Sequence, residues 1–340
     1  MFISIIIPMR NEENFIGRCL DSFLCQVQVG ENLEIVCVDG MSTDRTRDIV
    51  RQYGGRDKRI RLIENPDRFT AAGMNLGIVQ SRGDFIIVAS CHAKYSPNYV
   101  SKCLEVIQRT GAEHVGGYMT TLQGRDTRVG RAIATATSCR FGVGNAAFRL
   151  GGQEREVDTL AFGMYRRSVF EKVGLYDERL IRNQDIELNS RIRKRGGRIV
   201  ISPEIKLSYY NRATYRGLWQ QSFNNALWNP YTIWLVGRGP TFRHFIPMFF
   251  VSGLITFIIG AFFWWPLKWI LFGYVLLYLS VACVFSIKRT RQTKISATLV
   301  LWSFVVLHMA YGLGEIWSII TIPFKFPNRH KQKVGKLPAD

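Results

Sequence analysis

Glu34 to Thr46 reads EIVCVDGMSTDRT, and the fold turns on this stretch. Ile35, Val36, Cys37 and Val38 form a short apolar run that stops at Asp39-Gly40. A run of that length, closed by a turn residue and followed by a helix start, predicts a buried strand. The carboxyl end of such a strand is where an open α/β sheet binds its ligand. Asp39 sits at that end, and Asp44 follows after Gly40 and the polar pair Ser42-Thr43. Short polar side chains there cap the next helix, whose free N–H groups attract anions. Two carboxylates on this loop are suited to accept hydrogen bonds from a base or ribose. The plainer alternative, Asp44 as a helix N-cap and nothing more, stays open at this point.

Working outward, Phe2–Ile7 reads as a first strand ended by Pro8. Arg10-Asn11-Glu12-Glu13-Asn14 follows, with Asn11 placed to cap a helix patterned on Phe15, Ile16, Cys19, Leu20, Phe23 and Leu24. A basic helix is expected from Thr46 to about Tyr53, a strand at Arg61–Ile63 and a small-residue helix at Thr70–Gln80. Asp84–Ala89 reads as a fourth strand, running into Ser90-Cys91-His92-Ala93. Strands alternating with helices at this spacing predict an α/β, doubly wound, mainly parallel sheet. Residues 112–150 are rich in glycine and give no clear element. Thr159–Arg166 reads as a strand and Arg167–Val173 as a helix. A further helix over Ile186–Arg195 buries Ile186, Leu188 and Ile192 and leaves a basic outer face, on which Arg182, Arg191 and Arg193 are expected to be solvated.

The chain has 340 residues and a net charge of +19, which points to nucleic acid, anionic lipid or phosphorylated substrates. Its basic residues cluster beside long apolar runs, which favours a membrane, and no zinc-finger or RNP-type pattern appears, so nucleic acid is not expected as a partner. Seven cysteines without a CxxC suggest reduced thiols in a cytosolic compartment. Phe2–Ile7 is too short for the apolar core of a cleavable signal. Tyr215–Trp234 carries Trp219, Phe223, Trp228, Tyr231 and Trp234, a density that suits an interfacial helix. Phe245–Trp265, Leu267–Ile287 and Ile295–Ile322 are each long enough to cross a bilayer. Lys288, Arg289, Arg291 and Lys294 mark the loop between the second and third as cytoplasmic. Gly312, Gly314, Glu315 and Pro323 interrupt the last run, so a third span and a re-entrant segment both stand. The expected division is 1–213 as a cytosolic catalytic domain, 214–244 as an interfacial segment, 245–324 as membrane helices and 325–340 as a basic tail.

The motifs SIIIPMRNEENFIGRCLDS, EIVCVDGMSTDRT, GDFIIVASCHA and RNQDIELNSRIRKRGGRI occur in that order. Together they resemble the inverting glycosyltransferases of family 2, which have the GT-A fold. The tract VDTLAFGMYRRSVFEKVGLYDERLIRNQDIELNSRIRKRGGRI is similar, more narrowly, to the succinoglycan-type exopolysaccharide glucosyltransferases. The resemblance implies donor-binding roles for Pro8, Asn11, Glu12, Asp39 and Asp44, and a catalytic base at Asp185. It implies a divalent metal, Mg2+ or Mn2+, near His92, in a motif whose usual first aspartate is here Ser90. Acceptor contacts fall to Asp158, Arg182, Gln184 and Trp228; Asp158 has Thr159 beside it. The family's Gln-x-x-Arg-Trp motif is matched only loosely by Gln220-Gln221-Ser222-Phe223, without its arginine. The same resemblance implies a UDP-sugar donor, a hexose (glucose in the relatives it resembles) and a polyprenyl-diphosphate-linked saccharide acceptor. The enzyme would be multi-pass in the inner membrane, its catalytic domain facing the cytoplasm. Alternatives are a polyprenyl-phosphate sugar synthase and a degenerate sugar-nucleotide-binding membrane protein.

Overall fold

Ile3–Met9 (β1) and Leu33–Asp39 (β2) pair in parallel over their whole length, Ile3 against Leu33 and Met9 against Asp39. Every residue of β2 is buried, as expected of a strand covered on both faces. The computed structural model describes residues 1–26, 32–144, 146–293 and 295–325, so the basic tail and Lys294 lie outside the described residues.

Pro8 does not end the first strand but lies within it, opposite Val38. Along β1, alternate residues address opposite neighbours: the Ala89 N–H donates to Ile6 O and the Gly40 N–H to Met9 O. Pro8 therefore faces the side of Phe85–Val88, whose last pair with β1 is Ile6↔Val88. Its missing N–H falls past the end of that ladder, where no hydrogen bond is lost.

The remaining elements of the first half are Ile16–Leu24 (α1), Thr46–Arg56 (α2), Ile60–Glu64 (β3), Thr70–Gln80 (α3), Phe85–Val88 (β4), Ala93–Tyr95 (β5), Tyr99–Thr110 (α4) and His114–Leu122 (β6). Then come Arg128–Ala136 (α5), Arg140–Val143 (α6), Ala147–Leu150 (α7), Arg155–Glu156 (β7), Gly163–Arg166 (β8), Arg167–Val173 (α8), Gln184–Lys194 (α9) and Ile199–Tyr210 (β9). The strands form one mixed, mostly parallel sheet in the order β3-β2-β1-β4-β8-β6-β9-β5, with β7 paired to β9. β3, β2, β1 and β4 run parallel, whereas β8 is antiparallel to β4 and to β6, and β5 is antiparallel to β9. The expected doubly wound sheet is the parallel part, and β5, β6, β7 and β9 are not foreshadowed by any pattern in the sequence.

Two compact units divide the described residues: Met1–Thr120 with Gly151–Tyr209, and Thr121–Leu150 with 210–325. The second contains Tyr215–Val236 (α10), Ile246–Phe263 (α11), Leu267–Thr293 (α12) and Ala297–Lys325 (α13). Three of its helical stretches, Phe242–Phe263, Leu267–Arg291 and Ala297–Lys325, have the length and hydropathy to cross a membrane. α13 is unbroken through Gly312, Gly314 and Glu315. These residues are packing positions rather than interruptions. A Cβ on Gly312 would lie 2.5 Å from Pro247 O of α11, and one on Gly314 would lie 2.5 Å from Phe223 O of α10. Small residues admit such backbone approach between apolar helices. Glu315, fully buried, accepts a hydrogen bond from Asn229 Nδ2 at 2.8 Å.

Candidate active site

The loops after β1 and β2 are laced together at the carboxyl ends of the parallel strands. Asn11 N–H donates to Ser42 Oγ (2.9 Å), Glu12 N–H to Thr46 Oγ1 (2.7 Å) and Glu13 N–H to Asp44 Oδ2 (3.2 Å). In return, Thr43 N–H donates to Asn11 Oδ1 at 2.8 Å. Asn11 is left-handed, with φ 55, so it does not cap α1 as the sequence suggested; a short polar residue tolerates that conformation, and its side chain is committed to the neighbouring loop. Asp44 accepts from both the N–H and the hydroxyl of Thr46, at 3.0 and 2.5 Å. Partial burial alone would raise its carboxyl, but these bonds outweigh that and hold it below the usual carboxylate range. Asn11 and Asp44 thus shape the floor of the site.

Asp39 is the deepest group here and is fully buried. Its Oδ2 accepts from Ser42 N–H at 3.0 Å and lies 3.6 Å from Arg47 Nε. Arg47 also pairs with Glu64, the residue opposite Asp39 on β3. Asp39 Oδ1 has no hydrogen-bond partner among the described residues. A buried acceptor left open costs stability unless something donates to it, so Oδ1 has the capacity to take an N–H or O–H from a ligand. Sequence reasoning did not single out Arg47; its position in the first turn of α2, eight residues past Asp39, is the signal that could have found it.

Glu12 and His92 meet across the end of the sheet, with Nε2 3.1 Å from Oε1. Phe15 packs on the imidazole at 4.2 Å between ring centroids, and His92 N–H donates to Ser90 Oγ. Cys91 is buried, and burial pushes its thiol well above its ordinary pKa, so it offers no thiolate. No group of three or more histidine, cysteine, aspartate or glutamate side chains suited to a metal occurs among the described residues. One imidazole and one carboxylate fit an ion such as Mg2+ or Mn2+ that draws the rest of its shell from a diphosphate and water. They do not fit a metal held by the protein alone.

Asp185 lies in the first turn of α9, half-buried, its Oδ1 accepting from Ile186 N–H at 2.9 Å. Burial raises its carboxyl above the ordinary range, against the lowering effect of that hydrogen bond. Asn183 turns the chain into the helix with φ 64. Gln184 is buried and donates one N–H of its amide to Ile181 O at 2.7 Å. Arg182 and Asp158 are half-buried. Thr159, beside Asp158, is tied to α9, because Asn189 Nδ2 donates to Thr159 Oγ1 and to Leu160 O. Asn189 Oδ1 in turn meets Nδ1 of buried His114, which stacks on Tyr165 at 3.7 Å. Burial lowers His114 to about 3, so it stays a neutral strut near pH 7. Neither His114 nor Asn189 stands out in the sequence.

Arg191 is not on a solvated face. It is buried and grips Glu187, also buried, through Nε and Nη2, while donating to the carbonyls of Val173, Gly174 and Leu175. The 3.6-residue turn brings positions four apart together, and a buried guanidinium requires such a partner. Trp228 lies in the second unit, on α10, edge-on to Tyr231 at 5.6 Å.

A mixed sheet with carboxylates gathered at the carboxyl ends of its parallel strands is an architecture of GT-A type. The family model described as Glycosyl transferase family 2 matches residues 4–174, half the chain, and the protein belongs to that family. The chain is 29% identical, over 66% of its length and 71% of the relative's, to the dolichyl N-acetyl-alpha-D-glucosaminyl phosphate 3-beta-D-2,3-diacetamido-2,3-dideoxy-beta-D-glucuronosyltransferase of Methanococcus voltae. It is 31% identical, over 64% of its length and 66% of the relative's, to the succinoglycan biosynthesis protein ExoA of Rhizobium meliloti. It is therefore similar to about two thirds of each. In structure it is similar to a mannosyltransferase of Pyrobaculum calidifontis solved with GDP-Man and Mn2+, with a TM-score of 0.57 at 14% identity, over 93% of this chain and 87% of that one. That likeness speaks for the fold.

Proposed function

We propose that this glycosyltransferase moves a hexose from a UDP-sugar, with inversion, to a saccharide carried on a polyprenyl phosphate or diphosphate. Three membrane spans would hold it in the inner membrane, with the sheet domain on the cytoplasmic side. The observation that carries the donor half is the buried, open Oδ1 of Asp39. A carboxylate oxygen accepts, so it is suited to an N–H of the base, such as the imide of uracil, or to a ribose O–H. The acceptor half rests on the relatives. One is named for a dolichyl-phosphate-linked sugar substrate and the other for succinoglycan biosynthesis. The first relative is named for adding to a sugar already on lipid, which favours a saccharide acceptor over a bare polyprenyl phosphate.

In the reaction Asp185 takes the proton of the acceptor hydroxyl as that oxygen attacks the anomeric carbon, and the nucleoside diphosphate leaves from the opposite face. Glu12 and His92 would hold a divalent ion, whose chemistry is to neutralise charge on the departing diphosphate. Labelled UDP-sugars offered with lipid extract, and separately with purified polyprenyl phosphate, test the reading. Label on lipid-linked saccharide supports it, label on polyprenyl phosphate alone replaces it with a synthase, and no transfer with any UDP-sugar overturns it.

Two outcomes belong to the donor side. Asp39→Ala is expected to weaken UDP binding more than tenfold, or about 1.4 kcal/mol, by calorimetry on a folded variant. Unchanged affinity would remove Asp39 from the donor site. Ser90→Asp adds a carboxylate beside His92 and is expected to tighten Mn2+ in the presence of UDP. The same Mn2+ affinity in both proteins would place the ion elsewhere.

A further inference from the structure

Residues 121–150 fall in the same compact unit as the long apolar helices, although no hydropathy signal marks them. α5 lays Ala132, Ala136 and the following Cys139 against Ala282 of α12 and Val300 and Phe304 of α13. Ile133 packs with Leu218 and Leu307. Phe141, in α6, sits among Tyr278, Phe285, Phe304 and His308, and its carbonyl meets His308 Nε2 at 2.8 Å. Tyr278 lies ten residues before the basic stretch that begins at Lys288, about 15 Å along the helix at its standard rise. Phe285, on which Phe141 also stacks, lies only three residues before Lys288, so Phe141 meets α12 about 5–15 Å inside the basic stretch and α6 stays within one leaflet of a bilayer core of about 30 Å.

The hydroxyls of this segment are satisfied as a dry setting demands. Thr135 Oγ1 donates to Arg131 O, Thr137 Oγ1 to Ile133 O and Ser138 Oγ to Thr135 O. Thr137 Oγ1 also accepts from Asn211 Nδ2, and Ser138 O accepts from Arg289 Nη2 near the end of α12. Backbone and side chains bonded internally in this way are what allows a polar sequence to enter hydrocarbon. The charge is one-sided: five arginines stand against one acid, Asp126. Arg125, Arg128, Arg131 and Arg140 are exposed, and Arg131 Nε lies 3.6 Å from that acid.

We propose that residues 127–150 are a fourth membrane-embedded element, a wedge dipping into the leaflet on the side of the Lys288–Arg291 stretch, whose exposed arginines bind the phosphates of anionic lipid headgroups. It rests on the reading of α11, α12 and α13 as spans. Arginine in the shallow part of one leaflet keeps its head at the interface by extending along the apolar surface, and a headgroup phosphate is the matching bidentate acceptor. The wedge would fix how deep the protein rides in its membrane.

The test uses the full chain in vesicles of phosphatidylcholine and phosphatidylglycerol. Cys25 and Cys283 are the exposed cysteines among the described residues, and Cys283 lies on α12. A spin label on Cys283, with Cys25→Ser, reports on the spans. Labels at Arg125→Cys and Arg140→Cys, with Cys25 and Cys283 replaced, report on the wedge. Collision with dissolved oxygen in preference to an aqueous nickel complex is expected at 283 and 140, and the reverse at 125. Nickel access at 283 would overturn the spans themselves. Protection at 283 with equal nickel access at 140 and 125 would overturn the wedge alone. For the headgroups, Arg128→Gln with Arg140→Gln is expected to lower the phosphatidylglycerol-to-phosphatidylcholine ratio retained on extraction by at least about fivefold. An unchanged ratio would overturn the phosphate assignment.

Discussion

Asp185→Asn is expected to reduce sugar transfer at least about a hundredfold, the loss typical of removing a general base, while donor affinity stays near that of the unaltered protein. The substitution keeps the size of the side chain and its capacity to accept from Ile186 N–H, so a merely structural role for Asp185 predicts almost no change. The direction of its pKa adds a second readout. Burial raises the carboxyl above the ordinary aspartate value. The base works only when deprotonated, so transfer should fall, as pH drops, through that raised value rather than near the usual one. Linkage gives the matching sign for stability. A folded-state pKa above the unfolded one means that ionisation at higher pH costs stability, so Asp185→Asn should leave the protein as stable at pH 7, or more so. Transfer by the asparagine variant at an undiminished rate would leave the proposed reaction without a base.

The parallel half of the fold was legible because its strands are built on short apolar runs, Ile5–Ile7, Ile35–Val38, Leu62-Ile63 and Phe85–Val88. α3 and α8 have the bounds the sequence suggested, and β2 lies where Ile35–Val38 placed it. The antiparallel half was not. β9 carries Pro203 and Glu204 in mid-strand, and β6 carries Gly116-Gly117, residues that read as turns until neighbouring strands are known. The segment at 127–150 was hidden for a different reason: its polarity is cancelled by hydrogen bonds that no local pattern displays. In the candidate site, the positions of Asp39 at the end of β2, His92 after β4 and Asp185 at the start of α9 followed from motif order. Their partners did not, since Arg47 on Asp39, Glu12 on His92 and Asn189 on the 159–160 loop are tertiary pairings. Arg191 shows the limit most sharply, because charge and helical phase placed it in water.

Arg191→Leu is expected to destabilise the sheet domain by about 3–5 kcal/mol, more than any surface arginine would. The change takes from the buried carboxylate of Glu187 the guanidinium that grips both its oxygens and leaves three backbone carbonyls, at Val173, Gly174 and Leu175, without that donor. The cost arises from a buried charge that has lost its closest compensation more than from lost attraction, so Glu187→Leu added to Arg191→Leu should recover part of it. It should not recover all, because the three carbonyls remain unsatisfied in the double variant. Thermal transitions of the purified protein with saturating UDP order the outcomes: unaltered protein highest, double variant between, Arg191→Leu lowest. The pair lies on α9 with Glu187 two residues past Asp185, so the same contacts set where Asp185 sits. Partial recovery of stability without recovery of transfer in the double variant would show that the ion pair positions α9 as well as holding it. A single variant as stable as the unaltered protein would mean that Arg191 and Glu187 are solvated after all, and that the buried pair does not exist in solution.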